Sequence, residues 1–278
     1  MSTGSSTPSS SRSTPSPQPL TLNVEPLEYE LNRQLLADFT GERTGYVQVG
    51  PDKWFLPTKY SDHAANFLNF EVRPDDVWVV TFPRSGTTWT QELVWLVAND
   101  LDFDFAKRVP QVQRFPFFEF NIFVHEQVRA ELLARNRDDA HKIEIVEELS
   151  RPGYEILNAT PGPRFIKTHF PFSYIGDFEK YWGYFEKNLL ARFLDKSMNE
   201  VQVAQLAEHL NITNFRRNPA VNFDLLSEVG LMNDGEQSFI RKGKTGGWRE
   251  EFTPELNARA DKWINDNLNK TDLRFPAV

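Results

Sequence analysis

V-W-V-V-T-F-P-R-S-G-T-T-W-T-Q-E-L-V-W-L-V-A, Val77 to Ala98, is the stretch from which the fold is read. Val77 to Val80 is a short apolar run rich in β-branched residues, which predicts a strand buried on both faces. Phe82 to Thr87 reads as a turn built from Pro, Arg, Ser, Gly and Thr. Trp89, Leu93, Leu96 and Val97 then recur at i, i+4, i+7 and i+8, the apolar stripe of a helix. Strand, small polar loop and helix together make a geometry that binds phosphate, because the free N–H groups and positive dipole end of the helix face an anion lodged there. Gly86 permits close backbone approach, Ser85, Thr87 and Thr88 offer hydroxyls, and Arg84 brings charge. An ordinary buried βα turn is the plain alternative, since small polar residues also make good connectors. The nucleoside-triphosphate pattern G-x-x-x-x-G-K-[ST] is absent, which points away from an ATPase.

Outward from this stretch, composition sets the bounds. The chain has 278 residues, of which 40% are hydrophobic and 25% charged, as expected of a folded globule. A net charge of −8 argues against general nucleic-acid binding and makes any anion site a local basic cluster. There is no cysteine, so disulfides, thiolate metal sites and cysteine catalysis are excluded. No apolar run approaches the roughly 20 residues of a membrane span, and the N-terminus lacks a signal peptide's apolar core. A cytoplasmic protein with no membrane partner is expected. Of the first 20 residues 15 are Ser, Thr or Pro, so residues 1–27 are expected to be a disordered tail and 28–278 a single domain, with folding beginning near Tyr29.

Leu31, Leu35 and Leu36 suggest a short helix, and Tyr46 to Phe55 a hairpin bending at Gly50-Pro51-Asp52. R-F-P-F-F-E-F, Arg114 to Phe120, has no helical period and reads either as core or as the wall of an apolar pocket. Ile143, Val146 and Leu149 mark a helix ending near Arg151-Pro152-Gly153. R-F-I-K-T-H-F-P, Arg164 to Pro171, holds a second strand in Phe165-Ile166, with Lys167, Thr168 and His169 at its C-terminal end. In an open α/β sheet that end is the ligand edge.

Asp177 can cap a helix carrying Phe178 to Leu189. Ser197 to Glu200 reads as a capping box before a helix buried through Val203, Leu206 and Ala207, and Asn211 to Asn222 as a polar connector. F-I-R-K-G-K-T-G-G-W, Phe239 to Trp248, is either an exposed basic loop or a second phosphate clamp using Arg241, Lys242 and the backbone at Gly243. Thr253 and Pro254 open a last helix whose face is Leu256, Ala260, Trp263 and Ile264.

These blocks, in this order, resemble the cytosolic sulfotransferases, which move a sulfonate group from 3′-phosphoadenosine 5′-phosphosulfate (PAPS) to a hydroxyl or amine. F-P-R-S-G-T-T-W is similar to the family's 5′-phosphosulfate loop, P-R-F-I-K-T-H-F-P to its catalytic Lys/His strand, R-F-P-F-F-E-F to an aromatic acceptor segment, and R-K-G-K-T-G-G-W to its 3′-phosphate loop. The resemblance runs from about Tyr29 to Phe275 and departs from the family in places. The R-N-P-K-D-V-x-V-S-Y motif, whose Arg and Ser bind the 3′-phosphate, is missing after Ser173, as is the stretch carrying the adenine-site Tyr before Ala191. Arg84 replaces the usual Lys, Leu210-Asn211-Ile212 stands for T-S-F, and only Thr253 survives of the dimer motif, so that dimer is not expected.

The resemblance implies an α/β, P-loop-like sulfotransferase fold with helices flanking a parallel sheet, truncated by the two deletions. It implies in-line sulfonyl transfer without a metal. His169 would be general base, with Lys167 and Arg84 stabilising the charge that develops. Ser85, Gly86, Thr87, Thr88 and Trp89 would hold the 5′-phosphate, Arg241, Lys242 and Gly243 the 3′-phosphate, and Asn211 would lie near the adenine. Phe117, Phe120 and His169 would line a pocket for a small hydroxylated apolar acceptor. An active sulfotransferase and a catalytically inactive, binding-only shortened form both stay open. A nucleotide kinase lacks its Walker lysine.

Overall fold

The computed structural model describes residues 21–171, 174–175, 194–232, 239–240, 243 and 247–270. β1 (Val24–Pro26), β2 (Tyr46–Val49) and β3 (Trp54–Pro57) form an antiparallel sheet in that order, with helix α1 (Tyr29–Asp38) between the first two strands. The bend at Gly50-Pro51-Asp52 lies where the sequence puts it, and Gly50 has φ +64°, a left-handed conformation that glycine adopts without strain. Ordered structure begins earlier than Tyr29: Val24 to Pro26 pair with Val49 to Val47, because this edge needs a third strand to cover its backbone groups. Residues 1–20 of the expected tail lie outside the described residues.

α2 (Tyr60–Leu68) leads to β4 (Val77–Val80), which is followed by α3 (Thr87–Ala98), α4 (Phe103–Arg108), α5 (Gln111–Arg114) and a 3₁₀ turn at Phe120–Phe123. α6 (Glu126–Arg135), α7 (Ala140–Ser150) and α8 (Gly153–Ala159) then return the chain to β5 (Phe165–Thr168). β4 and β5 pair in parallel, with Val77 opposite Phe165 and Val80 opposite Thr168. A single parallel bridge, Phe117 to Lys167, extends this sheet beyond β5. Its backbone carries two hydrogen bonds, Lys167 N–H to the Pro116 carbonyl and Phe118 N–H to the Lys167 carbonyl.

The aromatic segment is both core and wall. Phe115 and Phe118 are fully buried in two different core clusters, Phe118 among Phe67, Phe70 and Phe170 at 4.9–6.3 Å, whereas Phe117 meets Phe120 and His169.

α9 (Glu200–His209), α10 (Ile212–Arg216), α11 (Asp224–Glu228), α12 (Trp248–Glu251) and α13 (Pro254–Leu268) complete the described elements. Several expectations are corrected here. α9 is capped by Asn199 with Gln202, not by Ser197, because Asn199 is the residue whose side chain reaches the Gln202 N–H. Leu206 of α9 is buried, but Val203 and Ala207 are exposed, since only one edge of the helix meets the core. The connector after Asn211 contains α10, which packs Phe215 into the core. α13 has the expected Thr253 cap and Pro254, yet buries no residue of its apolar face among the described ones. The helix expected from Asp177 lies outside the described residues. No helix among those described is long and apolar enough to cross a membrane.

The start of the β4–β5 pair is pinned by a buried ion pair. Arg164 Nε and Nη2 donate to the two oxygens of Asp76 at 2.6 Å each, and the guanidinium also reaches the Glu71 and Leu157 carbonyls. Both side chains are essentially solvent-free. Placing a charge in so dry a site is tolerable only with this many partners.

Candidate active site

The loop after β4 takes two left-handed residues on either side of Ser85, Arg84 (φ +67°) and Gly86 (φ +97°), the second capping α3. A Cβ on Gly86 would meet nothing within 4 Å, so the space over the loop is open. Arg84 to Gly86 are exposed, and Thr87 is buried with its hydroxyl 2.6 Å from that of Thr81. Such a turn aims the unpaired N–H groups at the start of α3 outward, as an anion cradle requires. The residues present therefore fit a bound phosphate.

Three separate segments meet at this loop. Arg84 Nη2 donates to the Phe239 carbonyl at 3.0 Å and its guanidinium lies 5.0 Å from the Phe239 ring centroid. Trp89 is 42% exposed instead of buried in the helix stripe, because its indole N–H donates sideways to the Leu210 carbonyl at 3.0 Å. Gly243, at φ +60°, comes so close to Ile212 that a Cβ would lie 2.6 Å from its Cγ1. The described residues of the segments at 84–89, 210–212, 239–240 and 243 are thus brought together. Asn211 shares the neighbourhood, but its side-chain oxygen caps α10 through the Thr213 N–H. Arg241 and Lys242 lie outside the described residues.

Underneath, α3 is clamped by residues that sequence reasoning passed over. Glu92 is fully buried and accepts from Arg114 at 2.8 Å and Gln111 at 3.2 Å, while His209 Nε2 lies 3.0 Å away. Burial alone would raise the Glu92 pKa; the His209, Arg114 and Gln111 contacts outweigh it and hold the carboxyl below its ordinary range. Gln111 also donates to the Thr88 carbonyl, tying the clamp to the first turn of the helix.

His169 follows β5 directly. Its Nδ1 lies 2.7 Å from the Thr81 carbonyl, an acceptor only, so Nδ1 carries the proton and Nε2 is left as the basic nitrogen. Burial, then the nearby Lys167 cation, lower its pKa to about 4 against the pull of the Thr81 bond, so the ring is a neutral base at physiological pH. The edge of Phe117 meets the imidazole at 5.1 Å, and Phe120 and Phe123 stand 5.7 and 6.2 Å from Phe117. Lys167 Nζ lies 3.8 Å from the Phe117 ring centroid. Burial pushes the Lys167 pKa down, opposed by the charge of Glu119. Glu119 itself is buried and pushed up. Phe123 and Glu119 were absent from the expected site residues, although Glu119 lies within the aromatic run and Phe123 just after it.

A neutral base, a cation and an aromatic wall at the end of β5, beside the open loop after β4, form an arrangement that can serve transfer of an anionic group to an apolar acceptor. The sulfotransferase domain model matches residues 74–177 and 186–272, and the chain belongs to the sulfotransferase family, whose members use PAPS. Luciferin sulfotransferase of Photinus pyralis is 26% identical, with 86% of this chain and 83% of the relative covered. Human sulfotransferase 1E1 is 24% identical over 78% of this chain and 90% of its own length. Retinol dehydratase solved with retinol and PAP is 31% identical with a TM-score of 0.78, covering 93% of this chain and all of its own, and the same enzyme with androsterone and PAP aligns at 0.77 and 30%, over 93% and 99%. The luciferin sulfotransferase alignment spans 322 residues, more than the 278 of this chain, so that relative carries internal segments this chain lacks.

Proposed function

We propose that this chain, acting as one domain from Val24 onward, transfers a sulfonate group from PAPS to the hydroxyl of a small, flat, apolar alcohol or phenol. The observation that carries the reading is His169: a ring fixed by Thr81, neutral at physiological pH, and packed 5.1 Å from the Phe117 ring. His169 Nε2 takes the acceptor's hydroxyl proton as its oxygen forms a bond to sulfur. The bond from sulfur to the 5′-phosphate oxygen breaks, and the departing 3′,5′-adenosine diphosphate (PAP) keeps that electron pair. Lys167 and Arg84 stabilise the negative charge that grows on the sulfonate and the leaving oxygen. Ser85, Gly86, Thr87, Thr88 and Trp89 hold the 5′-phosphate through backbone N–H groups and hydroxyls. Arg241, Lys242 and Gly243 grip the 3′-phosphate, and Asn211 stands at the adenine side. Phe117 and Phe120, with Phe123, orient the acceptor.

Isotope-labelled PAPS with a panel of phenols and alcohols tests this directly. Labelled sulfate ester that disappears in His169→Ala supports the assignment, and undiminished product in that variant rejects it. The shorter chain favours a second reading, a binding-only form without turnover. Calorimetry with PAP separates the two: micromolar binding together with turnover contradicts the second reading, and binding without any turnover supports it.

A further inference from the structure

Glu119 is 1% exposed, in a segment otherwise made of phenylalanine. Its Oε1 accepts from the His169 backbone N–H at 2.6 Å and its Oε2 from the Thr168 hydroxyl at 2.8 Å. The Thr168 oxygen in turn accepts the Phe170 N–H at 3.0 Å. The Phe117–Lys167 bridge sets Glu119 alongside the residues that end β5. A carboxylate is an acceptor at both oxygens, and here it meets two donors; a glutamine would present N–H to one of them. The strand end has left its ladder at this point, so these bonds replace the sheet in fixing where the chain turns.

We infer that Glu119 is a positioning residue for sulfonyl transfer, fixing the end of β5 through hydrogen bonds from the His169 N–H and the Thr168 hydroxyl and serving as the buried counter-charge of Lys167. This rests on the function proposed above. His169 reaches the Thr81 carbonyl only if its own backbone is held, and Glu119 is the group that holds it. The ionisable groups that act on Lys167 and His169 are Glu119 from the aromatic segment and these two residues themselves, both ending β5. Lys167, already lowered by burial, would deprotonate at still lower pH without Glu119. A lysine that has lost its proton no longer stabilises the leaving charge.

The test compares the full chain with Glu119→Gln by two measurements. One is kcat across pH. The other is the pH dependence of Lys167 acetylation by trace acetic anhydride, read by peptide mass spectrometry. In Glu119→Gln, kcat falls at least about tenfold, the effect of one charge-assisted hydrogen bond. The Lys167 labelling midpoint and the alkaline limb of kcat both move down by about one pH unit, with acceptor KM little changed. A folded variant whose midpoint and limb stay in place overturns the inference. If the wild-type chain gives no turnover, the proposed function fails, and the labelling midpoint still decides the role of Glu119. If Glu119→Gln does not fold, Thr168→Val, which keeps the carboxylate, replaces it. That variant is expected to lower kcat without moving the Lys167 midpoint, and an unchanged kcat overturns the inference.

Discussion

The two ends of the β4–β5 pair both bury charge, and they do so in opposite ways. At the start, Arg164 and Asp76 meet in two 2.6 Å hydrogen bonds, and the guanidinium reaches two carbonyls besides. At the finish, Lys167 lies against an aromatic face while its counter-charge, Glu119, is spent on the Thr168 hydroxyl and the His169 N–H. The first arrangement leaves little to gain from any proton or ligand. The second leaves, among the described residues, a cation and a neutral imidazole without direct ionic partners, the lysine pushed down towards neutral pH and the imidazole held in its basic form. Four-residue strands thus separate anchorage from reactivity by their own length.

The largest effect should come from breaking the anchored end. Arg164→Ala strands Asp76 in a dry site and is expected to cost about 3–5 kcal/mol, measured by denaturant unfolding. A loss near zero would mean that this end does not anchor the sheet. At the reactive end, His169→Ala should stay folded, with a smaller stability loss than Arg164→Ala, and lower turnover by about 10²–10⁴-fold. If that variant instead unfolds, the contrast between the two ends collapses.

On the neighbouring loop, Arg84→Ala removes a charge that holds the Phe239 segment and, in the proposed function, the nucleotide. PAP affinity is expected to fall by about 1.5–3 kcal/mol, read by calorimetry. Arg84→Lys should recover only part, because a lysine keeps the charge but loses the stack on Phe239. Affinity unchanged in Arg84→Ala would take the arginine out of the cradle.

A proton titration sharpens the same contrast. His169 should titrate near pH 4 by NMR, below the ordinary value of 6.5. Being neutral in the fold and charged in the unfolded chain, it contributes stability above pH 6.5 that is lost as pH falls towards 4. His169→Ala should flatten that part of the stability profile. A midpoint near 6.5 would show the ring to be solvated. The smallest effect is expected far from both ends: Tyr174→Phe loses one bond to the Val49 carbonyl, about 1 kcal/mol of stability, with turnover unchanged.

What could be read from the chain alone follows from how local each signal is. The Val77–Ala98 unit and the Lys167–His169 strand end are continuous in sequence, and their strand, turn and helix chemistry appears in adjacent letters. Glu119 stood in plain view inside R-F-P-F-F-E-F, but its role needs the Phe117–Lys167 bridge, which no local pattern encodes. Glu92 is likewise unreadable without Arg114, Gln111 and His209, drawn from two other helices. Periodicity failed where it was asked to stand for burial. Val203 and Trp263 lie on apolar stripes and face outward, because a stripe says which side could be covered and not what covers it. Asn211 stands in the expected nucleotide set by its place in a motif, and the motif does not tell that its side-chain oxygen caps α10.

The clamp at Glu92 has a consequence for how such a chain tolerates editing. It grips the phosphate helix from behind, with donors from α5 and α9, and one of them also holds the Thr88 carbonyl. The pitch of that helix is therefore set independently of whatever crosses the mouth of the cleft. Segments joining the front can shorten or lengthen across relatives while the cradle keeps its aim, much as a lens stays aligned when only the cover of its housing is changed.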